Sequence, residues 1–243
     1  MATTETQQHP LADGTRVGIS RDGRHQYWVD DGAKAKSVTT MLRHIEGSTF
    51  GIGMNWALKL ARENNGDLDA PKRANASSIA VGNRLHATVD AYIQNGTVDE
   101  DDPLFAAWYH AIGEQEEWLA SERFLYHPVL QYGGTLDAVS LNPDGEVLLH
   151  DLKTVEPLSW ARYGSSLRIN KDGAQVAAYA DALTAMGSIR APTRGAITYV
   201  LRDGSGAEVV QVDLARGSKL FHASRALFLL TNGGDDNSQQ GGS

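Results

Sequence analysis

The run Asn142-Pro143-Asp144-Gly145 interrupts two apolar, strand-like stretches at residues 135–141 and 147–153. Asparagine first, proline next and glycine last suit a type I turn closed by a left-handed glycine bulge. With Pro143, Asp144 and Gly145 as a three-residue loop, Asn142 faces Glu146, and this fixes the register of the whole hairpin. Counting outward along both strands, Asp137 falls opposite Asp151. Opposed side chains of an antiparallel pair stand about 5 Å apart on one face. Period-two alternation puts Lys153 on that face as well.

Two carboxylates and one ammonium are thus gathered on strands otherwise rich in valine and leucine. Like charges this close repel, and seating them among apolar side chains is costly unless a cation bridges them. An oxygen-rich pair with a free position suits Mg2+ or Mn2+. The same three residues equally suit a surface ion-pair cluster at the solvent end of a plain hairpin.

Composition narrows the choices around this hairpin. The chain has 243 residues and no cysteine, which excludes disulfides, thiolate zinc sites, iron–sulfur clusters and thiol catalysis. No apolar run approaches the roughly 18 residues of a membrane span. Met1 to Gly14 lacks the basic-then-apolar pattern of a secretory signal, so a cytoplasmic protein without a membrane partner is expected. Asp and Glu total 30 against 22 Lys and Arg, a net charge of −8, which argues against nucleic-acid binding through bulk charge. It does not argue against a local basic stretch.

Residues 1–14 and 232–243 are polar and read as disordered tails. No repeat or linker divides the remainder, so one domain is expected over 15–231: mainly helical over 15–121, sheet-containing over 122–231. Residues 17–19 and 26–29 read as strands around an Asp22-Gly23 turn, and Ser37 as the N-cap of a helix through Ile45. Helical patterns follow at 52–63, 72–94 and 103–121. Strands are expected at 124–132, 135–141 and 147–153, a helix at 173–186, strands at 196–202 and 208–212, and a last helix at 218–230. That order predicts an α/β (α+β) fold, a central sheet flanked by helices with a helical N-terminal part.

Other residues converge on the hairpin by pattern. His86 borders the apolar stripe of Leu85, Val89 and Ile93, which suits either a metal-ligating imidazole or a hydrogen-bonded core histidine. Gln175 and Tyr179 are four apart on one helix, so they share a face. They can hold a phosphate backbone, orient a lysine, or simply pack. Glu122 opens a strand near the site as a further acid or a solvated one. Trp160, Arg162, Arg168 and Lys171 mix bases with an aromatic, which suits a nucleic-acid strand as well as a solvated loop over a packed Trp.

Taken together these residues resemble the RecB-type branch of the PD-(D/E)XK nuclease superfamily. The pieces, in the family's order, are Gly82-Asn83-Arg84-Leu85-His86, Gly134-Thr135-Leu136-Asp137, Asp151-Leu152-Lys153-Thr154, and Gln175 with Tyr179. Ser37-Val38-Thr39-Thr40-Met41-Leu42 and the helix with Trp56 also look like the opening segment of phage and mitochondrial-genome-maintenance exonucleases. The resemblance implies that Asp137, Asp151 and the Leu152 carbonyl ligate one or two Mg2+ or Mn2+ ions, with His86 as an additional ligand. It implies that Lys153 orients or deprotonates the attacking water, and that Gln175 and Tyr179 position Lys153 and the DNA. Arg168 and Lys171 would add phosphate contacts. Some relatives hold an iron–sulfur cluster on four cysteines; this chain has none and resembles the cluster-free exonucleases.

The expected function is therefore a metal-dependent deoxyribonuclease, an exonuclease acting on DNA ends or single strands in phage-like recombination, replication or repair. A structure-specific endonuclease of the same fold and a non-catalytic nucleic-acid-binding protein retaining the fold are the alternatives. A sugar- or small-ligand-binding α/β protein would leave the hairpin acids accidental. Recombination or replication proteins are candidate partners, and the sequence leaves the oligomeric state open.

Overall fold

The computed structural model describes residues 4–11, 14, 16–22, 26–30, 34–43, 45, 50–187 and 190–232. The Asn-Pro-Asp-Gly turn folds as its chemistry dictates. Gly145 takes φ +74°, its amide bonds the Asn142 carbonyl at 2.9 Å, and the Asn142 amide bonds the Glu146 carbonyl at 3.1 Å. The Asn142 side chain accepts from the amides of Asp144 and Glu146. The flanking strands, β6 (Tyr132–Leu141) and β7 (Val147–Val155), therefore pair from Leu141↔Val147 to Ala138↔His150.

These strands sit in a nine-stranded mixed sheet. β7 pairs in parallel with β8 (Arg194–Leu201), which turns back into β9 (Ala207–Val212). The other edge of β6 is covered along its length by β5 (Glu117–His127). Before it lie β1 (Glu5–Pro10), β2 (Arg16–Arg21), β3 (Tyr27–Val29) and β4 (Lys34–Ser37), an antiparallel run whose last strand joins β6 in parallel at Tyr132 and Gly133.

A strand has two edges, and β5 takes one of them. β4 and β7 must therefore share the other: β4 holds residues 132–133, β7 holds 138–141, and residues 134–137 lie between the two ladders. That fork begins one step beyond Ala138↔His150, at the level of Asp137 and Asp151.

Helices cover both faces. Ser37 caps the short α1 (Val38–Met41), accepting from the Thr40 amide. α2 (Phe50–Glu63), α3 (Ala70–Asn95) and α4 (Pro103–Trp108) follow. After β7 come α5 (Pro157–Tyr163) and α6 (Ile169–Met186), and α7 (Leu214–Thr231) closes the described chain. On one face α6 and α7 bury Val176, Leu183 and Phe221 against Leu136, Leu149 and Ile197. On the other, Leu85 and Val89 of α3 and Phe105 and Trp108 of α4 pack on Leu152 and Val200. Burial of this kind contributes about 1.5–3 kcal/mol per large apolar side chain. No helix among the described residues is long and apolar enough to cross a membrane.

Four sequence expectations require correction. Residues 5–10 are not tail but strand β1, paired with β2 from Glu5↔Arg21 to Pro10↔Arg16. The part before residue 122 is less uniformly helical than expected, since it contributes β1 to β4 and the start of β5. The helix expected over 103–121 ends at Trp108, passes through a wide turn at Tyr109–Gly113, and yields to β5 at Glu117. Pairing of residues 117–121 along β6 overrides local helix propensity there. The strand expected at 124–132 breaks at His127, where a turn separates it from Tyr132. The Asp22-Gly23 turn and the C-terminal tail fall on Gly23 and residues 233–243, outside the described residues.

Candidate functional site

The paired ladder between β6 and β7 stops at Ala138↔His150, one step before Asp137 and Asp151. Beyond it β7 stays with β8. The Leu152 amide donates instead to Asp137 Oδ2, at 2.6 Å. The two aspartates thus keep the register that the turn sets, while their backbones separate enough for side chains to enter between them.

Each acid has distinct company. Asp151 is 1% exposed. Lys153 Nζ lies 2.8 and 2.7 Å from its two oxygens, and Gln175 Nε2 donates to Oδ1 at 2.9 Å. Asp151 Oδ2 is held by the Lys153 ion pair alone, with no hydrogen bond of good geometry besides. Asp137 faces the other way, 3.6 Å from His86 Nδ1. His86 also reaches Glu122 Oε1 at 3.3 Å, and its Nε2 donates to the Leu152 carbonyl at 3.1 Å.

Glu122 stands opposite Asp137, because Ser121↔Ala138 and Arg123↔Leu136 flank it. Its φ is +45°, the left-handed region, at a typical cost of about 1–3 kcal/mol for a non-glycine residue. The departure from regular pairing turns its carboxylate toward His86. Gln7 of β1 holds this irregular stretch, donating to the Glu122 carbonyl at 2.9 Å and accepting from the Phe124 amide at 2.8 Å.

The donor atoms fit a divalent cation. Ligand atoms of His86, Glu122 and Asp137 lie within 4.8 Å of one another, and the separations from His86 Nδ1 to the two carboxylates, 3.3 and 3.6 Å, approach the roughly 3 Å between neighbouring ligands around an octahedral ion with bonds of about 2.1 Å. The set differs from the expected one. Glu122 joins His86 and Asp137, the Leu152 carbonyl lies beside His86, and Asp151 is turned toward Lys153 and Gln175.

Charges respond to this crowding. Burial opposes the imidazolium of His86, but Asp137 and the hydrogen-bonded Glu122 outweigh it and lift its pKa to about 9. Both ring nitrogens then donate, as their acceptor partners require. Burial likewise opposes charge on Lys153, and Asp151 and Asp137 reverse it, holding the side chain as an ammonium. Burial, with Asp137 nearby, raises Asp151 against the pull of Lys153.

A cation bound through His86 Nδ1, the nitrogen that faces Glu122 and Asp137, must displace one proton. Apparent Mn2+ affinity is therefore expected to rise about tenfold per pH unit below about pH 9 and to level above it. Isothermal titration across pH checks this, and a flat profile would reject His86 as a ligand. In metal-free protein the sign is opposite. Protonated His86 stabilises the fold fully below the unfolded pKa of 6.5, and that contribution fades as pH rises through about 9.

Gly134 lies in the fork, and the ring of Tyr179 occupies the space its missing Cβ leaves. Tyr179 is 4% exposed and accepts from Gln175 Nε2 at 3.3 Å. The tyrosine, the glutamine and Asp151 thus form one buried chain under β6 and β7. Outside it a 520 Å3 cleft opens between α3 and the N-terminal strands, lined by Arg21, Ser37, Asn83, His86, Thr135 and Asp137, among others.

No family model and no curated protein matches this sequence. Among solved structures the chain is similar to the crystal structure of SSO0001, at a TM-score of 0.37 and 17% identity over 79% of this chain and 76% of that one. So loose a likeness bears no weight for the site.

Of the residues singled out from sequence, Asp137, Asp151, Leu152, Lys153, His86, Gln175 and Tyr179 converge. Arg168 and Lys171 do not line the cleft; Arg168 is exposed at the N-terminus of α6 and Lys171 half-buried in its first turn. Trp160 packs on Tyr199, ring centres 4.6 Å apart, and donates to Glu208. It is a packed Trp rather than a free stacking platform. Sequence reasoning missed Arg21, which lines the cleft and bonds Thr135.

Proposed function

We propose that this protein is a metal-dependent deoxyribonuclease of the RecB-type PD-(D/E)XK kind, an exonuclease acting on DNA ends or single strands. One observation carries the reading: Asp137 and Asp151 meet at one level of two separating strands, with Lys153 paired to the buried member and His86 to the outer one.

His86, Glu122, Asp137, Asp151 and the Leu152 carbonyl would hold Mg2+ or Mn2+. Such an ion, when bound, polarises the phosphodiester and acidifies a nearby water. The protein's own groups supply the rest. Lys153, kept protonated by two carboxylates, places positive charge where the phosphoryl oxygens gain negative charge, so it acts as a charge donor rather than a base. Gln175 and Tyr179 fix the Asp151 rotamer from beneath. The guanidinium of Arg21, the Ser37 and Thr135 hydroxyls and the Asn83 amide give the cleft donors for phosphate oxygens. The cleft also carries the carboxylates of Glu5, Asp90, Glu122 and Asp137, so attraction for phosphate would depend on the cation that neutralises them.

The test is digestion of end-labelled single- and double-stranded DNA with Mg2+, Mn2+ or EDTA, beside closed circular DNA. Metal-dependent loss of the linear substrates with the circles intact is expected. Cutting of circles would replace the exonuclease by an endonuclease of the same fold. Equal digestion in EDTA, or none with either metal, would end the reading.

A further inference from the structure

One turn before Gln175 on α6, Asp172 is 5% exposed and belongs to none of the groups assigned above. Asp172, Gln175 and Tyr179 occupy one face of α6, at i, i+3 and i+7. Gln175 reaches Asp151. Three residues along a helix advance about 4.5 Å, and two along a strand advance about 6.6 Å, so the next side chain on this helix face falls within about 2 Å of the level of the next one on that strand face. On the strand face that side chain is Lys153, and on the helix face it is Asp172. The two lie within electrostatic reach of each other.

Asp172 is also held in place. Tyr199 sits opposite Lys153 in the parallel β7–β8 register and is fully buried. Its hydroxyl donates to Asp172 Oδ2 at 3.0 Å. The Tyr199 ring is in turn wedged by Trp160, whose indole is tied to Glu208, the β9 partner of Tyr199. Three strands and two helices therefore fix one carboxylate on the Lys153 side of α6, farther from the ammonium than the ion-paired Asp151.

We infer that Asp172, oriented by Tyr199, is a positioning residue for Lys153. It anchors the ammonium from the α6 side, so that Lys153 keeps its place when a cation claims the oxygens of Asp151. The inference rests on the nuclease reading. It also accounts for an expensive feature, a second buried acid within reach of one lysine.

Asp172→Asn keeps the shape and the Tyr199 hydrogen bond and removes only the charge. It is expected to lower kcat at least about tenfold while KM stays within about twofold. The Mn2+-induced rise in melting temperature should be retained, since Asp172 is not a ligand. Asp172→Glu should recover part of the rate. Tyr199→Phe, which keeps the ring on Trp160 but frees the carboxylate, should fall between. A wild-type kcat in Asp172→Asn overturns the inference, and so does loss of the Mn2+ shift, which would make Asp172 a ligand. Lys153→Ala is run beside these. If it is inactive while Asp172→Asn is not impaired, this inference alone falls; if Lys153→Ala cleaves normally, the nuclease reading falls with it.

Discussion

Lys153→Ala is expected to lower phosphodiester cleavage by about 10^2–10^3-fold, the usual cost of deleting a preorganised charge donor. The same substitution should also destabilise the metal-free fold. Asp151 is 1% exposed and Lys153 supplies its only positive neighbour within ion-pair distance among the described residues. Removing one partner of a buried pair typically costs about 3–5 kcal/mol. Lys153 keeps a quarter of its side chain exposed, which places the expectation at the lower end. Mn2+ should then restore more stability to the variant than to the wild type, because a cation replaces the missing ammonium. Melting curves with Mn2+ and with EDTA, beside single-turnover cleavage, measure both effects. A variant that cleaves within about tenfold of wild type would remove Lys153 from the chemistry.

Gly134→Ala is expected to disturb the site sterically. The added Cβ would stand 2.4 Å from Tyr179 Cε1 and 3.1 Å from Cζ. The ring cannot swing away, since it is buried under the sheet and tied to Gln175. Overpacking of this kind costs about 1–3 kcal/mol, which for a chain of this length lowers Tm by about 2–4 °C per kcal/mol. Activity should fall further than stability, because a displaced Tyr179 drags Gln175 off Asp151. Gly134→Ala combined with Tyr179→Leu should recover melting temperature but not cleavage. If the single variant melts as the wild type does, the close approach of ring and strand is not real.

Both expectations trace back to local sequence, and that explains what could be read in advance. Turn chemistry is local, so Asn142 and Gly145 set a register that holds as far as Ala138↔His150 and brings Asp137 to Asp151. Helical spacing is local too, so Gln175 and Tyr179 share a face. Glu122 was legible only as an acid opening a strand near the site, with a solvated place equally open to it. Its role depends on a left-handed backbone that nothing in the string Ser121-Glu122-Arg123 announces, and on a partner 115 residues earlier. Residues 117–121 misled for a related reason, since their strand conformation comes from pairing with β6 rather than from their own propensity. The fork in the sheet was equally hidden, because β4 and β7 share an edge of β6 only once the chain has closed on itself.

The Gln7 clamp on the Glu122–Phe124 backbone alters what counts as a safe place to cut the protein. Its polar surroundings make residues 1–14 the natural target for trimming before crystallisation or for replacement by a purification tag. Deleting them would release the side chain that bonds both the Glu122 carbonyl and the Phe124 amide. Glu122 would then be free to relax into ordinary strand geometry, carrying its carboxylate away from His86. An N-terminal truncation is, in effect, a substitution at the His86–Glu122–Asp137 cluster made from the far end of the chain.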